Sequence, residues 1–239
     1  MLGLLLGFDG VLIDDSSLHA ELLCRALGSE GLEVSPVDLF GYLAEGGRGG
    51  SVMELDRQVL ERVLEKAGIE ATPSRLSRLV ARKAAFFQMR RRSEGPRAVE
   101  GAREMIRSAA AAGWMLGVVT TLPREEVESG LEQLELSGLF KTVVAAGLCD
   151  PENRSACYVH AFRELNALPP LPSRLLHPHE VLVLDSDPKA LEAARQVGFA
   201  TAGFSAGRAA AGLEEKSDSV FESLPRDSAG LARLLHAGS

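Results

Sequence analysis

Three places in this chain set a carboxylate or a hydroxyl directly after a short apolar run. Asp9 follows Leu4-Leu5-Leu6-Gly7-Phe8, and Thr120 and Thr121 follow Met115-Leu116-Gly117-Val118-Val119. Asp185, Ser186 and Asp187 follow Val181-Leu182-Val183-Leu184. A carboxylate can carry a proton or bind a divalent cation, and a hydroxyl beside a helix N-terminus can hold an anion. Each position also has a plain structural use. Asp9 can cap the turn before Gly10, Thr120 can end a strand and cap the helix opened by Pro123, and Asp187 can cap the helix entered through Pro188.

The runs that carry these residues are short, uncharged and apolar, as expected for strands buried on both faces of a parallel sheet. The first of them releases Asp9 and Gly10 beyond a carboxyl end, where ligands bind in open α/β sheets. From Arg97 onward strands and helices alternate, the mark of a parallel sheet with crossover helices. Helices are expected over Val99 to Ala112 and from Pro123. Strands are expected at Val143 to Ala146, Ala200 to Phe204 and Ser219 to Phe221. Between Asp15 and about Gly95 the apolar residues recur only at helical spacing, for example Leu22, Leu23, Ala26 and Leu27, and Val59, Leu60, Val63 and Leu64. Thr72-Pro73 is an N-cap followed by Pro at a first helical position.

The stretch Phe8-Asp9-Gly10-Val11-Leu12-Ile13-Asp14 resembles motif I of the haloacid dehalogenase-like (HAD) superfamily, an apolar strand followed by Asp-x-Asp-Gly-Val/Thr-Leu. The all-helical insertion after the first strand looks like the cap of its β-phosphoglucomutase/phosphoglycolate-phosphatase branch. Ser17-Leu18-His19 and Gly47-Arg48-Gly49 stand where that branch often carries a His and a Gly-Arg pair. The resemblance implies an α/β fold: a Rossmannoid parallel sheet with helices on both faces, plus an inserted all-helical cap. It places the core domain at 1–14 and 96–239 and the cap at 15–95.

Phosphoryl transfer of the kind this family performs needs a carboxylate nucleophile, an acid/base, cations and a held Mg²⁺. On the resemblance, Asp9 takes the acid/base position, while the nucleophile position falls on Gly7, which has no side chain. Thr120, with Thr121 beside it, takes the phosphate-binding position. Tyr158-Val159-His160-Ala161 fits the end of the third motif, which sets Glu152 at the position of its Lys, with Arg154 or Lys189 as nearby substitutes. The fourth motif sets Asp185 outside and Ser186 on the metal-ligand position, where a hydroxyl is a poor Mg²⁺ ligand. Asp185 and Asp187 could still hold a cation if the register slips by one.

Composition narrows the rest. With 239 residues, 46% hydrophobic and 25% charged, the chain suits a globular core with a smaller inserted domain. A net charge of −7 argues against a nucleic-acid partner, and Arg90-Arg91-Arg92 is expected to be a solvated helix end. Cys24, Cys149 and Cys157 are odd in number, lack metal spacing and are expected as reduced thiols in a cytoplasmic protein. The segment Met1 to Leu6 lacks a signal-peptide pattern, so no membrane association is expected. His177 and His179, in a Pro-rich connection at 168–179, are expected to be exposed rather than a metal pair. The expected function is a HAD-like protein that has lost phosphoryl transfer and serves as a binding, regulatory or structural subunit. No cofactor is expected in that case, and a partner would dock on the cap or on 168–179. The alternatives are a divergent phosphatase or phosphomutase using Mg²⁺ on a small phosphorylated metabolite, and a sensor that binds such a metabolite without turnover.

Overall fold

The computed structural model describes residues 1–39, 52–150, 152–167, 175–206 and 212–237. Gly47, Arg48, Gly49 and most of the Pro-rich connection, 168–174, lie outside the described residues. By contacts the chain divides into two compact units, Met1–Asp14 with Pro96–Ser239, and Asp15–Gly95.

The larger unit is built on a six-stranded, all-parallel sheet of order β3-β2-β1-β4-β5-β6. Its strands are β1 (Gly3–Leu6), β2 (Met115–Val119), β3 (Phe140–Val144), β4 (Val181–Asp185), β5 (Ala200–Phe204) and β6 (Ser219–Phe221). Among the described residues the helices are α1 (Ser16–Gly28), α2 (Val52–Lys66), α3 (Pro73–Glu94), α4 (Ala102–Ala111), α5 (Arg124–Gln133), α6 (Arg154–Ala167), α7 (Pro188–Val197), α8 (Leu213–Lys216) and α9 (Ser228–Ala237).

β1 is central because it is apolar on both sides. Leu4 and Leu6 join one core with Met105 and Ile106 of α4, Val127 and Leu131 of α5 and Leu231 of α9. Leu5, pointing the other way, joins a second core with Val183, Tyr158, Ala161, Leu165, Leu191 and Ala194. Successive side chains of a strand alternate faces, so an unbroken apolar run fits only a sheet covered on both sides. Phe8 continues into the first core, and Gly130 of α5 makes room for it: a Cβ there would lie 2.5 Å from its ring.

The elements differ from the sequence expectation in three places. β3 begins at Phe140, earlier than expected, because its first residues alternate in exposure at the sheet edge instead of forming an apolar run. α4 begins only at Ala102, since Val99 N–H donates to Leu12 O and the chain there pairs back with the end of the β1 loop. α5 takes Pro123 as its N-cap, and no side chain caps it.

The smaller unit is helical throughout its described residues outside its loops. α1, α2 and α3 enclose Leu23, Leu27, Leu60, Leu64, Leu76 and Leu79. Thr72 caps α3 as expected, its hydroxyl accepting from Arg75 N–H. Inside the unit Lys83 and Asp56 form an ion pair at 2.7 Å, with side chains only 3% and 4% exposed. Lys83 Nζ also meets His19 Nδ1, and the His19 ring stacks on Phe87 at 4.8 Å. Arg91 is no solvated helix end: its guanidinium lies 3.0 Å from Asp15, with both side chains nearly buried. Arg90 follows the expectation more closely, pairing at the surface with Glu94 and Glu21.

Cys149 and Cys157 form a disulfide, with Cα atoms 4.9 Å apart, which corrects the expectation of reduced thiols. Eight residues apart in sequence, they are brought together because the loop after β3 folds back onto the first turn of α6. The odd cysteine is Cys24, half-buried and free.

Candidate functional site

The carboxyl ends of β1, β2 and β4 lie side by side at the centre of the sheet. Leu6 is in register with Val118 on one side and Leu184 on the other. Gly7, one step further, donates its N–H to Leu184 O at 2.9 Å, which brings it level with Asp185. A Cβ on Gly7 would lie 2.6 Å from Asp185 Oδ2 and 2.8 Å from its Cγ. The Asp185 carboxylate therefore fills the space into which a side chain at position 7 would project. Glycine is required here by close approach. At Gly10 it is required twice over, by a φ of +81° and by Ser186 Oγ, which a Cβ would meet at 2.1 Å.

Asp185 is 6% exposed. Its Oδ1 accepts from Asp187 N–H at 2.9 Å, and the buried Tyr158 phenol lies near its carboxylate. Burial, and then the negative charge of Asp187, raise the Asp185 carboxyl to about 7, although the Asp187 N–H, Arg154 and the Ser186 N–H oppose the shift. Burial also pushes the Tyr158 phenol well above its usual range, with Asp185 adding to the effect.

Asp187 is the N-cap of α7, its Oδ1 accepting from Lys189 N–H at 3.0 Å. Its Oδ2 pairs with the guanidinium of Arg154, the first residue of α6. Arg154 thus brings a cation to this end of β4. Glu152 is exposed in the preceding turn, its N–H donating to Asp150 Oδ1.

Asp9 is exposed in the tight loop after β1, where Gly10 N–H donates to Ile13 O and Ile13 N–H to Phe8 O. Thr120 follows β2, its N–H bonded to Val144 O and its hydroxyl accepting from Leu122 N–H at 3.2 Å. The hydroxyl braces the turn rather than capping α5, and Thr121 beside it is half-buried. The fold brings Gly7, Thr120 and Asp185 to Asp187 to one edge of the sheet, with Glu152 in the turn leading to Arg154. His177 and His179 are elsewhere, exposed and stacked at 5.6 Å around a single helical turn. Among the described residues no group of three or more His, Cys, Asp or Glu side chains could hold a metal ion.

The family model for haloacid dehalogenase-like hydrolases matches residues 2–198. The chain belongs to this family. Solved structures agree in fold over nearly the whole HAD chain. A predicted phosphoglycolate phosphatase from Haemophilus somnus 129PT is 18% identical with a TM-score of 0.74, covering 93% of this chain and 94% of its own. A β-phosphoglucomutase from Pyrococcus sp. strain ST 04 is 18% identical with a TM-score of 0.71, covering 100% of both chains. CbbY from Rhodobacter sphaeroides, in complex with phosphate, is 19% identical with a TM-score of 0.66, covering 98% of this chain and 99% of its own. A comparison with curated proteins finds no match. No helix among the described residues is long and apolar enough to cross a membrane.

Sequence reasoning missed the approach of Asp185 to Gly7 and the hydroxyl of Tyr158. The only available signal for Tyr158 was a phenol within an otherwise apolar helix face. A buried phenol seeks a polar neighbour, and the Asp cluster after β4 lies near this one.

Proposed function

We propose that this HAD-family chain has lost phosphoryl transfer and acts as a cytoplasmic binding, regulatory or structural subunit. The observation that carries the reading is the Asp185 carboxylate standing where the side chain of residue 7 would project. A nucleophilic carboxylate must be ionised and open to its substrate. Asp185 is buried, accepts from Asp187 N–H, and has its carboxyl raised to about 7 by burial.

The same residues do not fit the Mg²⁺ that the family implies. Mg²⁺ takes oxygen ligands in a near-octahedral set, drawn to ionised carboxylates. Here position 7 offers no side-chain oxygen, Ser186 offers a hydroxyl, and Asp187 is engaged by Arg154 and Lys189 N–H. A protein partner would engage the helical unit or 168–179, and a phosphorylated small molecule could rest near Thr120 without turnover.

A second reading has one observation in its favour, the exposed Asp9 at the same sheet edge. It makes the chain a divergent phosphatase or phosphomutase on a small phosphorylated metabolite. Purified protein with Mg²⁺, p-nitrophenyl phosphate and a panel of sugar phosphates separates the two. The expected rate equals that of buffer alone and is the same for Asp9→Asn. Turnover that Asp9→Asn abolishes would overturn the loss of catalysis.

A further inference from the structure

We propose that the Cys149–Cys157 disulfide is a redox latch that fixes the first turn of α6, and with it Arg154 and Tyr158, against the carboxylates after β4. Cys157 lies three residues after Arg154 and one before Tyr158, so all three belong to one stretch of helix surface near its start. Arg154 holds Asp187, and the buried Tyr158 phenol lies near Asp185. The disulfide anchors that stretch to the loop after β3. The turn is also held by the packing of Cys157 and Tyr158 in the second core, by Ser155 Oγ, within hydrogen-bond reach of Gln196 Oε1 at 2.8 Å and Ala193 O at 3.4 Å, and by Ala156 N–H, which donates to Asn153 O. In a reducing compartment a disulfide is uncommon unless it cycles between states.

The latch is reachable. Cys149 is buried, yet Ala146, Gly147, Leu148 and Asp150 around it are exposed, so a small local opening uncovers its sulfur. A dithiol reductant supplies the chemistry. One of its thiolates attacks a cysteine sulfur, the S–S bond breaks, and the departing thiolate takes a proton. The second thiol of the reductant resolves the mixed disulfide. In sum the two cysteines gain two electrons and two protons, and the dithiol becomes a disulfide. Reoxidation by a low-molecular-weight disulfide runs the same exchange backwards. This coupling does not depend on whether the site transfers a phosphoryl group.

Two readouts on the full chain test it. Iodoacetamide in denaturant, applied to protein purified without reductant, is expected to label Cys24 alone, and after dithiothreitol all three cysteines. Hydrogen exchange with and without dithiothreitol then reports on the site. The amides of Tyr158, Asp187 and Lys189 are expected to exchange roughly tenfold faster on reduction, and Cys149→Ser to show the fast rates in both conditions. Labelling of all three cysteines before reduction would overturn the proposal. So would a reduction that leaves the Asp187 and Lys189 amides unchanged, since the bond would then be only a local staple.

Discussion

At the scale of single residues, Asp185 has the most unusual chemistry in the larger unit. Its carboxyl is raised from the usual 3.8 to about 7, chiefly by burial. A raised carboxyl means that the folded state binds the proton more tightly than the unfolded chain. Its contribution is therefore favourable at low pH and is lost as pH climbs from about 4 to 7. Asp185→Asn keeps the shape, removes the charge and should flatten this part of the pH profile. Urea unfolding should show the variant gaining roughly 2–3 kcal/mol relative to the parent between pH 5 and pH 8. A constant difference across that range would mean that Asp185 titrates normally. The residue types at this edge were legible in the sequence, since Asp9, Thr120 and Asp185 each end an apolar run. Their partners were not, because Tyr158 and Arg154 reach the β4 carboxylates only through the packing of α6 on the sheet.

At the scale of elements, the strands and helices followed from period and capping wherever both faces of a strand are buried. β2, β4 and β5 obey that rule. β3, an edge strand opening with Phe140, Lys141 and Thr142, escapes it because one side of its start is wet. The helical unit shows the opposite failure. Lys83 and Asp56 sit on ordinary amphipathic helices, and nothing local marks them as buried. Burial raises the Asp56 carboxyl and Lys83 opposes that shift, so each charge depends on the other. Lys83→Met should destabilise the protein by about 3–5 kcal/mol, because it strands Asp56 in an apolar interior. Adding Asp56→Leu should recover most of that loss in chemical denaturation. A double variant no more stable than Lys83→Met would show that the pair is not coupled.

At the scale of the whole molecule, the sequence specified a parallel sheet and a helical insertion because both depend on periodicity repeated over many residues. The disulfide and the filling of the crevice depend on single long-range approaches, which periodicity does not encode. The chain keeps the scaffold of the haloacid dehalogenase-like hydrolases while one strand supplies the bulk that its neighbour lacks. Fold alone does not carry activity, and on the function proposed above the closure between β1 and β4 is where this chain sets the two apart. A double-mutant cycle on Gly7 and Asp185, read by urea unfolding, tests that closure most directly. Gly7→Ala should cost about 1–3 kcal/mol in the parent, where the new methyl group meets the Asp185 carboxylate, and close to nothing when Asp185 is already Ala. An equal cost in both backgrounds would contradict the account.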